Sequence, residues 1–185
     1  MITIIKIVIF VLVTILLIYF SRASLRNWGL HGFYRFFAWE LIIVLILLNI
    51  DYWFVRPFSI YQLISWVLLS LSLFFVIYGA YNLYHKGKPD CKRDDKALIG
   101  IEKTSKLVTT GIYRYIRHPI YGSLFWLVWG VFFKSFSWHG LILSVAATAF
   151  LILAAKFEEK ENIKFFGEKY QYYTKQTKMF IPYIF

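Results

Sequence analysis

Five predominantly apolar runs, at residues 2–20, 36–54, 60–84, 119–133 and 141–157, decide what this chain can fold into. Most approach the ~20 residues that carry a helix across the hydrocarbon of a bilayer. In that medium the backbone must satisfy its own hydrogen bonds, which a helix does within one segment. The pattern predicts an all-α integral membrane protein with five transmembrane helices, in one membrane domain covering 1–185. Three N-terminal membrane helices occupy 1–84, and a loop, a hairpin and a tail occupy 85–185.

Composition agrees with the runs. Hydrophobic residues make up 59% of the chain and charged residues 17%, against about 45–50% and about 25% in soluble domains. Cys91 is the single cysteine, so no intrachain disulfide or Cys-x-x-Cys metal site is available, and no metal is expected. The net charge of +11 suits either nucleic acid or an anionic lipid surface. Because the charges sit in short segments between apolar runs, membrane lipid is the expected partner and nucleic acid is not.

Local signals refine the boundaries. The first run is longer than the apolar region of about 7–15 residues in a cleaved signal peptide, and Arg22 and Arg26 follow it, which predicts a retained helix. Arg56-Pro57 closes the second run, since proline disfavours helix at the residue before it. The segment 85–106, with its charged GKPDCKRDDK, reads as a loop. The fourth run, about 15 residues, is short for a crossing. Crossing or shallow, it forms a hairpin with the fifth that returns Arg117-His118 and Glu158-Glu159 to the same face. Ala146, Ala147, Ala149, Ala154 and Ala155 in the fifth run match Gly122 and Gly130 in the fourth as a close helix–helix groove. From Glu158 the tail is amphipathic, with Ile163, Phe166, Tyr170 and Tyr173 on one side, and is expected to lie along the membrane interface.

Orientation follows from lysine and arginine. About 18 of the 21 fall in the segments 22–35, 85–118 and 156–185, and about three (Lys6, Arg56, Lys134) fall on the other side. The positive-inside rule then places the N-terminus outside, and the C-terminus with the site residues at the cytoplasmic face.

Two motifs carry chemistry. The stretch 107–123, LVTTGIYRYIRHPIYGS, holds Gly111, Tyr113, Arg117, His118, Pro119 and Tyr121; about 40 residues later come Glu158, Glu159, Phe166, Gly167, Tyr170 and Tyr173. In this order and spacing the chain resembles the isoprenylcysteine carboxyl methyltransferase and phosphatidylethanolamine methyltransferase superfamily of small membrane enzymes. The resemblance covers roughly the C-terminal half. It implies a cofactor, S-adenosylmethionine, enclosed by the last two membrane helices and the tail, with a lipophilic substrate approaching from the bilayer. The loop, hairpin and tail then form the methyltransferase site.

That cofactor carries an ammonium, a carboxylate, a sulfonium and an adenosine, and the motifs contain matching residue types. Glu158 or Glu159 suits the ammonium, or else pairs with Lys156 or Lys160 on a solvated turn. Pro119 favours a helix start, which sets His118 beside a helix N-terminus that welcomes the cofactor carboxylate. Tyr113 and Tyr121 offer faces for adenine or the sulfonium, or are ordinary interface residues. Leu107 and Val108 are apolar walls. Arg117 either binds an anionic group of substrate or cofactor or reaches lipid phosphate, and it stands with Glu158 as a catalytic candidate. Three positions depart from the resemblance: Lys156 for arginine, Asn162 for leucine and Met179 for a basic residue. In the N-terminal half only Glu40 draws notice, as a substrate contact or a partner of Arg35 or another cation.

The expected activity is methyl transfer to a small lipophilic acceptor, with carboxyl O-methylation of an isoprenylcysteine-like acid favoured. N-methylation of a lipid amine and NAD(P)H-dependent sterol-type reduction are the alternatives. The acceptor and the oligomeric state are not legible in the residues.

Overall fold

A computed structural model describes residues 2–87 and 104–185. The chain forms α1 (Ile2–Leu25), α2 (His31–Asn49), α3 (Ile60–Gly87), α4 (Pro119–Phe132), α5 (Trp138–Phe166) and α6 (Glu168–Gln176). Short 3-10 turns lie at Ile50–Tyr52 and Gly111–Arg114. Among the described residues there is no strand; an isolated parallel bridge joins Ile116 and Lys178. Most of the charged loop read in the sequence, with Cys91, falls outside the described residues.

Helix boundaries follow local chemistry. Pro119 occupies the first turn of α4, where a missing N–H costs nothing. Ser137 caps α5, its side chain accepting from the Gly140 N–H at 3.0 Å. Gly167, at φ +63°, ends α5 and turns the chain into α6, a conformation that penalises any residue with a Cβ.

Four helices, α1, α2 with its 3-10 extension, α3 and α5, are long and apolar enough to cross a membrane. The fourth apolar run forms α4, whose 14 residues span about 21 Å. That is short of the ~30 Å hydrocarbon thickness. α4 runs antiparallel along α3, with Pro119 beside Gly79 at one end and Lys134 bonded to Gln62 at the other.

The core lies between α2, α4, α5 and the tail. Ala38, Ile42 and Leu45 meet Val128 and Val131, Ala147, Leu151, Ala154 and Ala155, and Phe180. α5 packs chiefly on α2, and α4 chiefly on α3. α1 is peripheral and holds to α2, where Thr14 donates to Glu40 at 2.8 Å and Lys6 meets Asp51 at 2.5 Å. Thr14 is thus the partner shown for Glu40, on a neighbouring helix.

Two expectations are corrected. The Gly122–Gly130 groove does not receive the alanines of α5. A Cβ on Gly130 would strike Leu69 of α3 at 2.9 Å, and one on Gly122 would meet the Phe180 carbonyl at 3.3 Å. The groove accepts α3 and the tail, because Ser65 of α3 hydrogen-bonds the Gly130 carbonyl at 2.7 Å and needs that close approach. The segment after Glu158 does not begin a new helix at that residue either. Residues 158–166 extend α5, and after the turn at Gly167 the buried side of α6, Tyr170 and Tyr173, faces inward onto a cavity.

The end remote from that cavity is tied by one buried cation. Lys134 donates to Gln62 at 3.0 Å and sits 3.3 Å from the Trp66 ring centroid. Gln62 also donates to the Tyr52 and Lys134 carbonyls. Burial lowers the Lys134 pKa.

Candidate functional site

The C-terminal end of α3, the N-terminal end of α4 and the last turns of α5 converge with α6 around a cleft of about 620 Å³, counted with its open mouth. The 3-10 turn that carries Tyr113 depends on Gly111, at φ +67°, whose missing Cβ makes room for Asn82 of α3. Asn82 is itself anchored to the Tyr78 carbonyl at 2.8 Å.

The tail closes the site from behind. It runs alongside residues 115–118, with the Arg117 N–H on the Lys178 carbonyl at 2.9 Å, the His118 N–H on Met179 at 3.2 Å and the Lys178 N–H on Tyr115 at 3.0 Å. Arg117 donates through Nε to Glu159 and through Nη1 to the Thr177 carbonyl at 2.6 Å. Its side chain is 14% exposed and that of Glu159 17%. The reading in which Arg117 reaches out to lipid phosphate is therefore corrected: its fork is turned inward onto a carboxylate and the tail.

His118 is buried between the two acids. Its Nε2 lies 3.2 Å from Glu159 Oε1 and its Nδ1 4.0 Å from Glu158 Oε1. Glu158 lines the cleft, whereas Glu159 does not and is engaged by Arg117 and His118. Leu107, Val108, Tyr113, Arg117, His118, Pro119 and Tyr121 all line the cleft as well. The residues singled out in the sequence are thus brought together, with Glu159 one step behind the wall.

The remaining wall consists of residues to which the sequence reading gave no role in the site. Leu83, Thr104, Ile120, Asn162, Phe166, Tyr170 and Tyr173 complete it. Phe166, Tyr170 and Tyr173 belong to the second motif, and their helical spacing was a signal that they share one face. Tyr173 donates to the Tyr113 carbonyl at 2.7 Å, and Asn162 approaches the Tyr170 hydroxyl at 3.4 Å. Burial raises the pKa of both phenols, and the nearby charges of Glu158 and Glu159 raise that of Tyr170 further. Both therefore stay protonated at neutral pH, with the Tyr173 O–H held by the Tyr113 carbonyl.

The N-terminal half also reaches the site. His31, fully buried at the start of α2, contacts Glu161 of α5, and the charge of Arg35 reaches Glu158. The signal for it was two basic side chains four apart, at the end of an otherwise apolar run.

With this geometry in view, the comparisons place the chain. The sequence profile for phospholipid methyltransferases matches residues 41–169, from α2 to the start of α6. The chain belongs to that family. Within the superfamily of isoprenylcysteine and phospholipid methyltransferases, a methanethiol S-methyltransferase of Crocosphaera subtropica is 28% identical over 127 residues, 69% of this chain and 46% of that protein. A protein-S-isoprenylcysteine O-methyltransferase of Dictyostelium discoideum is 32% identical over 94 residues, 49% of this chain and 35% of that protein. Its counterpart in Schizosaccharomyces pombe is 34% identical over 83 residues, 44% of this chain and 35% of that protein. The chain spans less than half the length of these curated relatives. No solved structure matches. For this family member, the matched region contains both acids, His118 and Arg117, and ends within α6 just before Tyr170.

Proposed function

We propose that this family member is an S-adenosylmethionine-dependent methyltransferase acting on a small lipophilic acceptor. The observation that carries the reading is the convergence of Glu158, His118 and a helix N-terminus at one end of a cleft whose other walls are aliphatic and aromatic. The donor set fits the cofactor. Glu158 would accept from its ammonium, His118 and the first N–H groups of α4 would hold its carboxylate, and Leu83, Val108, Phe166 and the neutral tyrosines would enclose its adenosine. Glu159 and Arg117 hold His118 and the tail in place. When bound, the cofactor supplies a methyl group on a cationic sulfur. The protein's part is to align the acceptor with that methyl, exclude water and leave the nucleophile poorly solvated.

The acceptor we favour is the carboxylate of an isoprenylcysteine-like acid. His118 lies between two carboxylates, Glu159 is engaged by Arg117, and a carboxylate nucleophile needs no base. A thiol is the second reading, favoured by the methanethiol S-methyltransferase whose match covers the larger share of this chain. The test is titration of detergent-purified protein with S-adenosylhomocysteine and with NADPH. Labelled S-adenosylmethionine is then offered with an S-farnesylcysteine analogue, with methanethiol and with phosphatidylethanolamine vesicles. Binding of S-adenosylhomocysteine and labelling of the farnesylcysteine are expected. Binding of NADPH alone would overturn the reading in favour of a reductase.

The proposed orientation puts the site at the cytoplasmic face, motivated by about 18 of 21 basic residues falling in the sequence segments 22–35, 85–118 and 156–185. Reporter fusions after Gly87 and after Phe185 should both register as cytoplasmic. Opposite sides for the two would overturn the arrangement.

A further inference from the structure

The N-terminal end of α2 makes a specific contact with α5 one turn beyond Glu158. The two oxygens of Glu161 are both engaged by a single residue, His31: its backbone N–H donates to Oε1 at 2.9 Å and its Nδ1 lies 2.7 Å from Oε2. A carboxylate only accepts, so Nδ1 carries the hydrogen. His31 is 0% exposed, and its Nε2 is buried with no hydrogen-bond partner among the described residues. A buried imidazole left half-satisfied is an expensive way merely to fill space. One turn further along α2, Arg35 is also buried, and its charge reaches Glu158.

Glu158 and Glu161 are three residues apart on one continuous helix and lie on neighbouring parts of its surface. A bidentate hold on Glu161 therefore fixes how α5 is rotated about its axis at Glu158. A slip of one residue would turn that side chain by about 100° and take it off the cleft. The alanine-rich middle of α5 packs on α2 through small apolar groups, which set distance better than rotation. The polar latch at the end sets rotation.

We propose that His31 is a positioning residue for the methyl-transfer site: by clamping Glu161 it orients α5 so that Glu158 faces the cofactor ammonium. The proposal rests on the reading of Glu158 given above. It brings the start of α2, which precedes the matched family region 41–169, into the working site.

The test uses the full chain in detergent and measures S-adenosylhomocysteine affinity for Glu158→Gln, His31→Ala, His31→Asn, Glu161→Gln and the double variant His31→Ala/Glu158→Gln. His31→Ala and Glu161→Gln should each weaken binding about 3- to 30-fold, the range of coupled neighbours. His31→Asn, whose amide N–H can stand where Nδ1–H does, should recover most of the loss. If His31 acts through Glu158, the double variant should bind no more weakly than Glu158→Gln alone. A merely structural histidine would give additive losses and no rescue by asparagine, and either result overturns the proposal. Parent-like binding by Glu161→Gln alongside weakened Glu158→Gln overturns it too, and decides the matter if His31→Ala does not fold. Parent-like binding by Glu158→Gln would overturn the cofactor reading itself.

Discussion

Glu158→Gln should weaken S-adenosylhomocysteine binding by about 10- to 150-fold while the protein remains folded. The substitution keeps size and shape but removes the charge from the one acid among the described residues that lines the cleft. A hydrogen bond to a charged group is worth about 1.5–3 kcal/mol, and each 1.4 kcal/mol is about tenfold in affinity. Folding is expected to survive because the arginine fork and the latch to α2 rest on Glu159 and Glu161. Glu159→Gln should behave differently. It leaves the cleft-lining carboxylate in place but loosens Arg117 and His118, so its main effect should be on thermal stability in detergent. Isothermal titration and thermal unfolding on the two single variants and the double separate the roles. Parent-like binding by both His118→Ala and the double variant would remove the basis for a methyl-transfer site here.

Arg117→Ala should cost both stability and cofactor binding. The side chain joins three parts of the structure: the segment leading into α4 that bears it, Glu159 on α5, and the Thr177 carbonyl at the head of the tail. Removing one partner of a buried ion pair costs about 3–5 kcal/mol; with both side chains partly exposed, we expect the lower part of that range. The tail then loses a bond beside its short bridge to residues 115–118, and the cleft loses its rear support. Three outcomes are distinct. Loss of methyl transfer with intact cofactor binding would mean that Arg117 contacts only the acceptor. Retention of both would mean that its geometry is unimportant. Loss of both, with partial recovery in Arg117→Lys, is the result expected from a guanidinium that bonds in two directions, because an ammonium restores charge without the fork.

What the amino-acid sequence determined by itself concerns length, polarity and chain direction. Apolar runs of membrane length specify helices because lipid offers the backbone no partner. Pro119 and Gly167 set a helix start and a helix end through their own dihedral preferences. The return of the chain brought Arg117-His118 and Glu158-Glu159 to one end, so the composite of acids and imidazole was legible from order and spacing.

Which helix faces touch was decided only by the tertiary structure. In lipid a leucine facing a neighbour and a leucine facing a tail are almost equivalent, so apolar runs carry little amphipathic signal about pairing. Gly122 and Gly130 announced a groove but not its occupant. Ser65 and Leu69 on α3 and the backbone of Phe180 settled that through a hydrogen bond and close fit. Tyr170 and Tyr173 formed a face that suited a membrane interface equally well, until the turn at Gly167 carried it onto the cleft. The contribution of α2 was the least legible of all. His31 and Arg35 lie more than 120 residues from Glu158 in the chain, and only the packing of α2 on α5 makes that distance short.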